Sequence, residues 1–356
     1  MVMNNTMAES GRKNHDSFDL TKVILSFLVV TLHLTAFQKE ATWLIAFSRI
    51  AVPMFFLISS YLFFEPLAAK PNDSDWRKER LRHFVLRGVT LYFSWFLLQM
   101  PLTLRIWGWQ AYGYSEGYGI TRTLLAFLKK LFLGNTFVAS WYLSSLILGM
   151  CTVVFLGCFM SDMGLLALGA AAYLLCCLNS GYAELNILRI SFFYIPNSFP
   201  ASLLWLALGK QTAENTGIVE KLQTFGKKMK IGLTCMAAVL YAVEYYVCSK
   251  LQLSGVTDAH VMLVPLCFFL FLLVLEDERD IPHAREMRTI STVIYCSHGS
   301  LAALTLLLGE RIGVSFEQMP EAVFCYLIVL LAGTGFALLL MQLQKNRRLK
   351  WLRYLW

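Results

Sequence analysis

Apolar segments about 20 residues long recur along the whole chain and are separated by short polar stretches. An α-helix of about 20 residues crosses the hydrocarbon core of a bilayer, which is about 30 Å thick. We therefore predict an all-α polytopic membrane protein with about ten transmembrane helices. The predicted spans are residues 17–37, 42–64, 84–106, 139–159, 163–178, 193–209, 231–249, 259–275, 289–309 and 320–343.

Two segments depart from a simple span. The sixth span is short and contains Pro196 and Pro200, so we predict that it is broken or partly re-entrant. Residues 121–133, with the sequence TRTLLAFLKKLFL, combine apolar residues with a few basic ones in the manner of an amphipathic helix. We predict that this helix lies in the membrane interface.

The composition agrees with a membrane protein, because the 356 residues are 57% hydrophobic and only 15% charged. The net charge of +8 would suit nucleic acid, but its distribution indicates membrane topology instead. With the N-terminus in the cytoplasm and alternating spans, 22 of the 31 lysines and arginines fall on the cytoplasmic side. We therefore predict cytoplasmic N- and C-termini in a multi-pass protein of the bacterial cytoplasmic (inner) membrane, in contact with the lipid bilayer and without a nucleic acid partner.

The predicted domain organisation follows from these spans. Residues 1–16 form a cytoplasmic N-terminal tail without the apolar region of a signal peptide. Residues 17–344 form the transmembrane domain, and residues 345–356 form a basic cytoplasmic C-terminal tail. The nine cysteines are scattered without metal-ligand spacing, so we expect them to act as small hydrophobes and predict no metal site.

The first span contains ionisable residues, which are costly inside a bilayer and tend to be kept there for function. One helical stripe carries the polar residues Asp19, Lys22, Ser26 and His33. That stripe must face protein or a water-filled cavity. His33 falls in the outer half of the bilayer, where a neutral imidazole can accept a proton from an attacking hydroxyl. The alternative is a histidine that is hydrogen-bonded within the bundle.

The second span supplies a partner for His33. Only a short turn separates the first two spans, so they should be antiparallel neighbours that place Arg49 and His33 at similar depth. An arginine in this position can hold a carboxylate, a phosphate or a developing oxyanion. The alternative is an interfacial arginine whose side chain extends to the outer surface.

The segments FDLTK, LVVTLHL and SRIAVPMFFLISSYLF resemble the opening of the membrane-bound acyltransferase 3 family. This resemblance implies a ten-span enzyme that transfers an acyl group, commonly acetyl from acetyl-CoA, to an acceptor that is often an envelope glycan. It implies that His33 is the catalytic base, with Lys22 in the place of the family's arginine eleven residues earlier. Ser60 stands where glycine is usual. The match is closest to the stand-alone, cell-surface O-acetyltransferase type.

Further segments match motifs of the family in order and spacing, so that the resemblance covers about residues 15–340. They are RHFVLRGVTLYFSW, SWYLSSLI, LRISFF and VIYCSHGS. The candidates for binding the CoA phosphates are Lys22, Arg82 and Arg87. For the two arginines, anchoring to the anionic inner leaflet is the alternative. The candidates for binding substrate are Trp141, Tyr142, Arg189, Tyr295 and His298.

The residues themselves qualify some of these roles. His298 shares a polar helical face with Tyr295, so the late span also presents a histidine, and a purely structural role for it stays open. An aromatic belt at the membrane interface is the alternative for Trp141 and Tyr142. Glu244 is a further intramembrane ionisable group, which we expect to pair with a buried arginine. His260 lies at the start of a helix and carries no predicted role.

The leading hypothesis is transfer of an acyl group from acetyl-CoA to a hydroxyl of a glycan or glycolipid. Lys22 and His33 are about 16 Å apart along a helix, a distance that an extended pantetheine arm can bridge. His33 then deprotonates the acceptor and Arg49 stabilises the tetrahedral oxyanion. A transporter or flippase for a polysaccharide precursor or small solute is the alternative, and a non-catalytic scaffold or sensor is a third. The sequence leaves open the acceptor and whether a homodimer forms.

Overall fold

A computed structural model describes residues 15–70, 73–188, 199–253, 259–316 and 318–356 of the chain. These residues form fourteen α-helices and three short 3₁₀ segments and contain no β-strand. The helices are α1 (Asp16–Leu32), α2 (Thr35–Glu40), α3 (Thr42–Ser48), α4 (Ala51–Ala68), α5 (Ser74–Trp107), α6 (Ile120–Phe132), α7 (Ser140–Leu156), α8 (Asp162–Leu178), α9 (Phe199–Glu214), α10 (Gly217–Gln223), α11 (Lys227–Lys250), α12 (Leu263–Leu275), α13 (Ala284–Arg311) and α14 (Glu321–Leu343).

Every predicted span overlaps at least one of these helices. In the described part of the chain, four helical stretches are long and apolar enough to cross a membrane, namely Thr42–Ala68, Lys227–Lys250, Ala284–Arg311 and Glu321–Leu343. Helices α7, α8 and α12 are shorter and also apolar. The prediction of an all-helical, multi-pass membrane protein is confirmed at this level, whereas the number of ten spans and the side of the termini stay predictions. Arg189 and Pro196 lie outside the described residues.

The first two spans are interrupted, and each interruption falls at a candidate catalytic residue. Helix α1 ends at Leu32, where the backbone N–H of His33 bonds to the carbonyl of Val30 in a tightened last turn. The second span breaks between α3 and α4 at Arg49. Pro53 has no N–H to donate to the carbonyl of Arg49, and its ring crowds that carbonyl. His33 therefore lies at a helix end, whereas Arg49 lies at a local turn within the helical stretch Thr42–Ala68.

Helix α4 runs through the middle of the bundle and contacts α1, α7, α9 and α12. Its approach to α9 is close, because a Cβ at Gly209 would lie 2.6 Å from the Cβ of Ser60 and 2.8 Å from the carbonyl oxygen of Leu57. The hydroxyl of Ser60 donates to the carbonyl of Leu206 at 2.6 Å. The small residue that allows close helix contact thus lies on α9, opposite the serine that replaces the family's glycine.

Two peripheral elements frame the bundle. Helix α6 covers the predicted interfacial segment and has no buried residue. The 3₁₀ segment Arg347–Leu355, predicted as a basic tail, packs back against α5 and α14. There the indole N–H of Trp95 donates to the carbonyl of Leu355 at 3.0 Å. This contact fixes the position of the basic residues that surround Leu355.

Candidate active site

His33 and His298 lie side by side at the centre of the candidate site. Their ring centroids are 4.8 Å apart with planes inclined by 37°. The contact forms because α13 packs along α1, which brings together two residues 265 positions apart in the sequence. His33 is accessible at the end of α1, whereas His298 is 1% exposed. The structure therefore joins the two histidines that the sequence placed on separate polar stripes.

The orientation of His298 is set by its own helix. Its Nδ1 lies 2.6 Å from the carbonyl oxygen of Tyr295, one turn earlier. Because a carbonyl oxygen only accepts hydrogen bonds, Nδ1 carries the proton and Nε2 presents a lone pair. That Nε2 is buried and has no hydrogen-bond partner among the described residues. The backbone contact thus fixes the ring of His298, and in the neutral imidazole Nε2 is the nitrogen available to a ligand.

Tyr142 and Tyr295 form an aromatic wall beside this pair. Their ring centroids are 5.2 Å apart, and the ring of Tyr295 lies 6.0 Å from that of His298. Both tyrosines are buried, and the hydroxyl of Tyr142 is 3.2 Å from that of Ser59. A buried tyrosine surrounded by protein does not belong to an aromatic belt, so that alternative is wrong for Tyr142.

Arg49 links this centre to a third histidine. Its guanidinium is close enough to act electrostatically on both His33 and His260, and it also lies near Tyr241 and Tyr245. The hydroxyl of Tyr241 donates to the carbonyl of Ala46 at 2.9 Å, which fastens α11 to α3, the helix that precedes Arg49. Helices α3 and α4, which flank Arg49, both contact α1, and Arg49 acts on His33 electrostatically.

His260 is the residue of this site that sequence reasoning missed. It is fully buried, and neither ring nitrogen has a hydrogen-bond partner within the described part of the chain. Three tyrosine rings surround it at centroid distances of 5.7 to 6.2 Å, those of Tyr182, Tyr241 and Tyr245. The one signal in the sequence was the pair Tyr241 and Tyr245, which are a helical turn apart on an apolar span.

Glu244 has a different role from the predicted pairing with arginine. Its carboxylate accepts hydrogen bonds from the backbone N–H groups of Val261 and Met262, each at 2.9 Å, and from the hydroxyl of Tyr182. These two N–H groups stand immediately before α12, where the helix dipole favours a negative charge. Glu244 therefore caps α12 from a neighbouring helix and fixes the segment that carries His260.

A cluster of charged residues lies at the other end of α1. Asp19 is 2% exposed and is held by Arg288 at 2.7 Å and by Lys22 at 3.6 Å. Arg87 is close enough to act electrostatically on Lys22. Arg82 projects away, with its side chain 71% exposed and 3.8 Å from Glu79. Of the two arginines predicted at the cytoplasmic mouth, the structure brings only Arg87 to Lys22.

Trp141 lines a cleft of about 280 Å³ formed by α5, α7 and α13. The same cleft is bordered by Trp107 and by the polar side chains of Gln99 and Asn135. Ser300, two residues beyond His298, also lines it, and its hydroxyl bonds to the side chain of Gln99. The cleft therefore combines flat aromatic surface with amide and hydroxyl groups. Among the described residues, no group of three or more His, Cys, Asp or Glu is placed to hold a metal ion.

Known proteins that are similar to this chain include two racemases. Over 357 aligned residues the chain is 26% identical to a serine/alanine racemase of Enterococcus gallinarum, covering 94% of this chain and 47% of the relative. An amino-acid racemase of Enterococcus faecalis is 26% identical over 146 residues, which is 40% of this chain and 19% of that protein. The chain thus spans about half or less of the length of these relatives. No solved structure shows a significant match.

A family comparison covers nearly the whole molecule. The family model described as an acyltransferase domain matches residues 15–355, which include both histidines of the central pair, Arg49 and the segment that packs on Trp95. The match runs from the first residue that the structure describes almost to the last. The chain therefore belongs to the acyltransferase 3 family.

Proposed function

We propose that this protein is an integral membrane O-acyltransferase that moves an acetyl group from acetyl-CoA to a hydroxyl of an envelope glycan or glycolipid. The observation that carries the proposal is the packing of His33 against His298 with Arg49 in electrostatic range. A base next to a fixed cation is the minimal machinery for attack of a hydroxyl on a thioester.

In the proposed reaction, the Nε2 or Nδ1 lone pair of His33 takes the proton of the acceptor hydroxyl as its oxygen attacks the thioester carbonyl. The C–O bond forms, and the carbonyl electrons move to the oxygen, where the guanidinium of Arg49 stabilises the negative charge. Collapse of the tetrahedral intermediate breaks the C–S bond. The CoA thiolate then receives the proton from the His33 imidazolium, which restores the base.

The role of His298 in this scheme is to bind and orient. Its Nε2 lone pair is held inside the protein and lacks a partner in the described residues, so it suits a hydroxyl or N–H of a substrate. His33 is the better base because it is accessible, whereas His298 is enclosed. The substrate hydroxyl can therefore approach His33 while another polar group bonds to His298.

The two ends of the site suit different substrates. The charged cluster of Lys22, Arg87 and Arg288 offers cations for the phosphates of the donor, about 16 Å along α1 from His33. The cleft beside Trp141 offers an aromatic face, amides and a hydroxyl, the chemistry that binds a neutral sugar. This division supports a donor that enters from one side of the membrane and an acceptor from the other.

The test is transfer of labelled acetyl from acetyl-CoA into the lipid and glycan fraction of membranes that contain the protein. The variants are His33→Ala and Arg49→Ala, with His283→Ala as the control, because the side chain of His283 is 78% exposed. We expect label with the wild type and the control, a loss of about 10²- to 10⁴-fold in His33→Ala, and a loss of about 10²-fold or more in Arg49→Ala. Equal label in all four samples would refute the mechanism, and substrate uptake by wild-type proteoliposomes without thioester cleavage would favour the transporter.

A further inference from the structure

A second cleft opens between α5 and the 3₁₀ segment Arg347–Leu355. Its volume is about 420 Å³. Three basic side chains line it, those of His83 and Arg87 from α5 and that of Arg353 from the 3₁₀ segment. The described residues that line the cleft include neither aspartate nor glutamate. A concave site with three basic groups and no acidic side chain attracts a compact, multiply charged anion.

The position of Arg353 in this cleft is built into the fold. On either side of it in the segment, Leu352 and Leu355 are buried at 7% and 4% exposure. The carbonyl of Leu355 accepts the hydrogen bond from Trp95, which is itself only 1% exposed. Arg353 also lies over the ring of Tyr354, 5.2 Å from its centroid. The segment is therefore anchored on both sides of the arginine, so that its guanidinium is presented to α5.

Charge around the cleft is not balanced locally. Arg87 lies within electrostatic range of both Lys22 and Arg288. The nearby carboxylate of Asp19 already pairs with Lys22 and Arg288. His83 bonds to Glu79 at 2.8 Å, which orients its ring at the rim of the cleft. The surplus positive charge at Arg87 and Arg353 thus faces an open volume in which an anion can sit between them.

We propose that this cleft binds a phosphate monoester, the 3′-phosphate of the acyl-CoA donor, between Arg87 and Arg353. The inference rests on the proposed function and adds two residues to it, Arg353 as a direct ligand and His83 at the rim. Two arginine forks match the oxygens of a doubly charged phosphate better than single-point cations do. Arg87, which lies within electrostatic range of Lys22, connects the cleft to the base of α1, from which the pantetheine arm would extend toward His33.

A membrane offers the same phosphate chemistry in an anionic lipid headgroup, so the test separates the two sources. The full chain is placed in nanodiscs of neutral phosphatidylcholine, and binding of CoA and of dephospho-CoA, which lacks the 3′-phosphate, is measured by calorimetry. The variants are Arg353→Ala and, as the matched control, Arg348→Ala, which removes an exposed arginine of the same segment. Arg353→Lys keeps the positive charge and removes the two-pronged hydrogen bonding of the guanidinium. Thermal unfolding verifies that each variant is folded.

We expect Arg353→Ala to weaken binding of CoA by about 10- to 100-fold and to leave dephospho-CoA binding unchanged. Arg353→Lys should lie between, and Arg348→Ala should match the wild type. Equal losses for both ligands, or none, would overturn the inference while CoA binding by the wild type still supports the proposed function. If the wild type binds neither ligand, the acyl-CoA donor itself is wrong. A last outcome concerns nanodiscs that contain phosphatidic acid. If the wild type retains this lipid and Arg353→Ala loses it, with no change in CoA binding, the cleft binds a lipid headgroup and the inference is overturned.

Discussion

At the scale of single residues, the site contains three histidines in three different states. His33 is accessible, His298 is enclosed with one nitrogen engaged by a backbone carbonyl, and His260 is enclosed with both nitrogens unpartnered in the described residues. A buried polar group without a partner costs about 1–3 kcal/mol. Such a cost is tolerated where a ligand supplies the missing bond, which makes His260 a candidate contact for substrate.

His260→Phe should separate binding from folding. Phenylalanine keeps the ring contacts with the surrounding tyrosines and removes the two unpartnered nitrogens, so we expect an unfolding temperature equal to or above that of the wild type. Acetyl transfer should fall at least tenfold. The control is Tyr241→Phe, which removes the 2.9 Å bond to Ala46 and should lower stability by about 1 kcal/mol. Normal transfer in a destabilised His260→Phe protein would show that the ring is structural.

The buried carboxylate of Asp19 gives a second residue-scale prediction. Asp19→Asn removes the charge that holds Lys22 and Arg288, and leaves a largely enclosed lysine without its counter-ion. We expect a loss of about 3 kcal/mol in unfolding free energy. The matched control is Asp75→Asn, whose carboxylate is 93% exposed and should change stability by less than about 0.5 kcal/mol. Similar thermal unfolding of both variants would contradict a structural role for the Asp19 pair.

At the scale of elements, the positions of the catalytic candidates follow from helix ends and close helix contacts. The backbone N–H groups of Arg49 and Ile50 bond to carbonyls three residues back, which places a tightened turn at Arg49 between α3 and α4. Glu244 on α11 caps α12 and holds the segment that bears His260. Gly209 lets α9 approach α4, which contacts α1. The segment that bears His260 is thus positioned by a neighbouring helix, whereas His298 is oriented by its own helix.

Gly209→Ala tests the closest of these contacts. The new Cβ would lie 2.6 Å from the Cβ of Ser60 and 2.8 Å from a backbone oxygen of α4, so the helices must separate. We expect a loss of about 1–3 kcal/mol. Gly232→Ala is the control, since a Cβ there meets nothing within 4 Å. Adding Ser60→Gly to Gly209→Ala should restore part of the loss, and no recovery would place the strain elsewhere.

At the scale of the whole molecule, contacts at the helix ends join segments that charge counting placed on one side of the membrane. His15 bonds to Glu65 at 2.8 Å, Lys210 to Asp162 at 2.6 Å, and Lys230 to Glu276. All six residues fall on the predicted cytoplasmic side. The opposite end carries Glu244 and the outer start of α12. The packing of the bundle and the distribution of lysine and arginine thus support the same alternation of helices.

Cysteine labelling tests this orientation. In a background with the exposed Cys158 and Cys235 replaced by serine, the variants are Glu116→Cys and Glu278→Cys, both at exposed loop positions. We expect a membrane-impermeant thiol reagent to label Glu116→Cys in intact cells and Glu278→Cys only after permeabilisation. The reverse pattern would invert the predicted topology. Equal labelling of both in intact cells would contradict the alternation itself.

The sequence by itself determined the helical, membrane-spanning class and the candidates His33, Arg49, Tyr295 and His298. The inference of a helical, membrane-spanning class succeeds because the bilayer penalises polar groups, so that the length of an apolar segment indicates a span. The four site candidates stay predictions. The short motifs were also sufficient to identify the acyltransferase 3 family, since the family match extends over residues 15–355. The donor, the acceptor and the roles of the site residues stay predictions that the experiments above address.

Only the tertiary structure decided which of these residues meet. His33 contacts His298, Arg288 contacts Asp19, and Trp95 holds Leu355, although 260 or more positions separate the members of each pair. Helical periodicity places a residue on a face of its own helix but carries no information about the partner helix. For the same reason the sequence missed His260, whose burial arises from tyrosines on other segments, and Arg353, which the fold returns to α5.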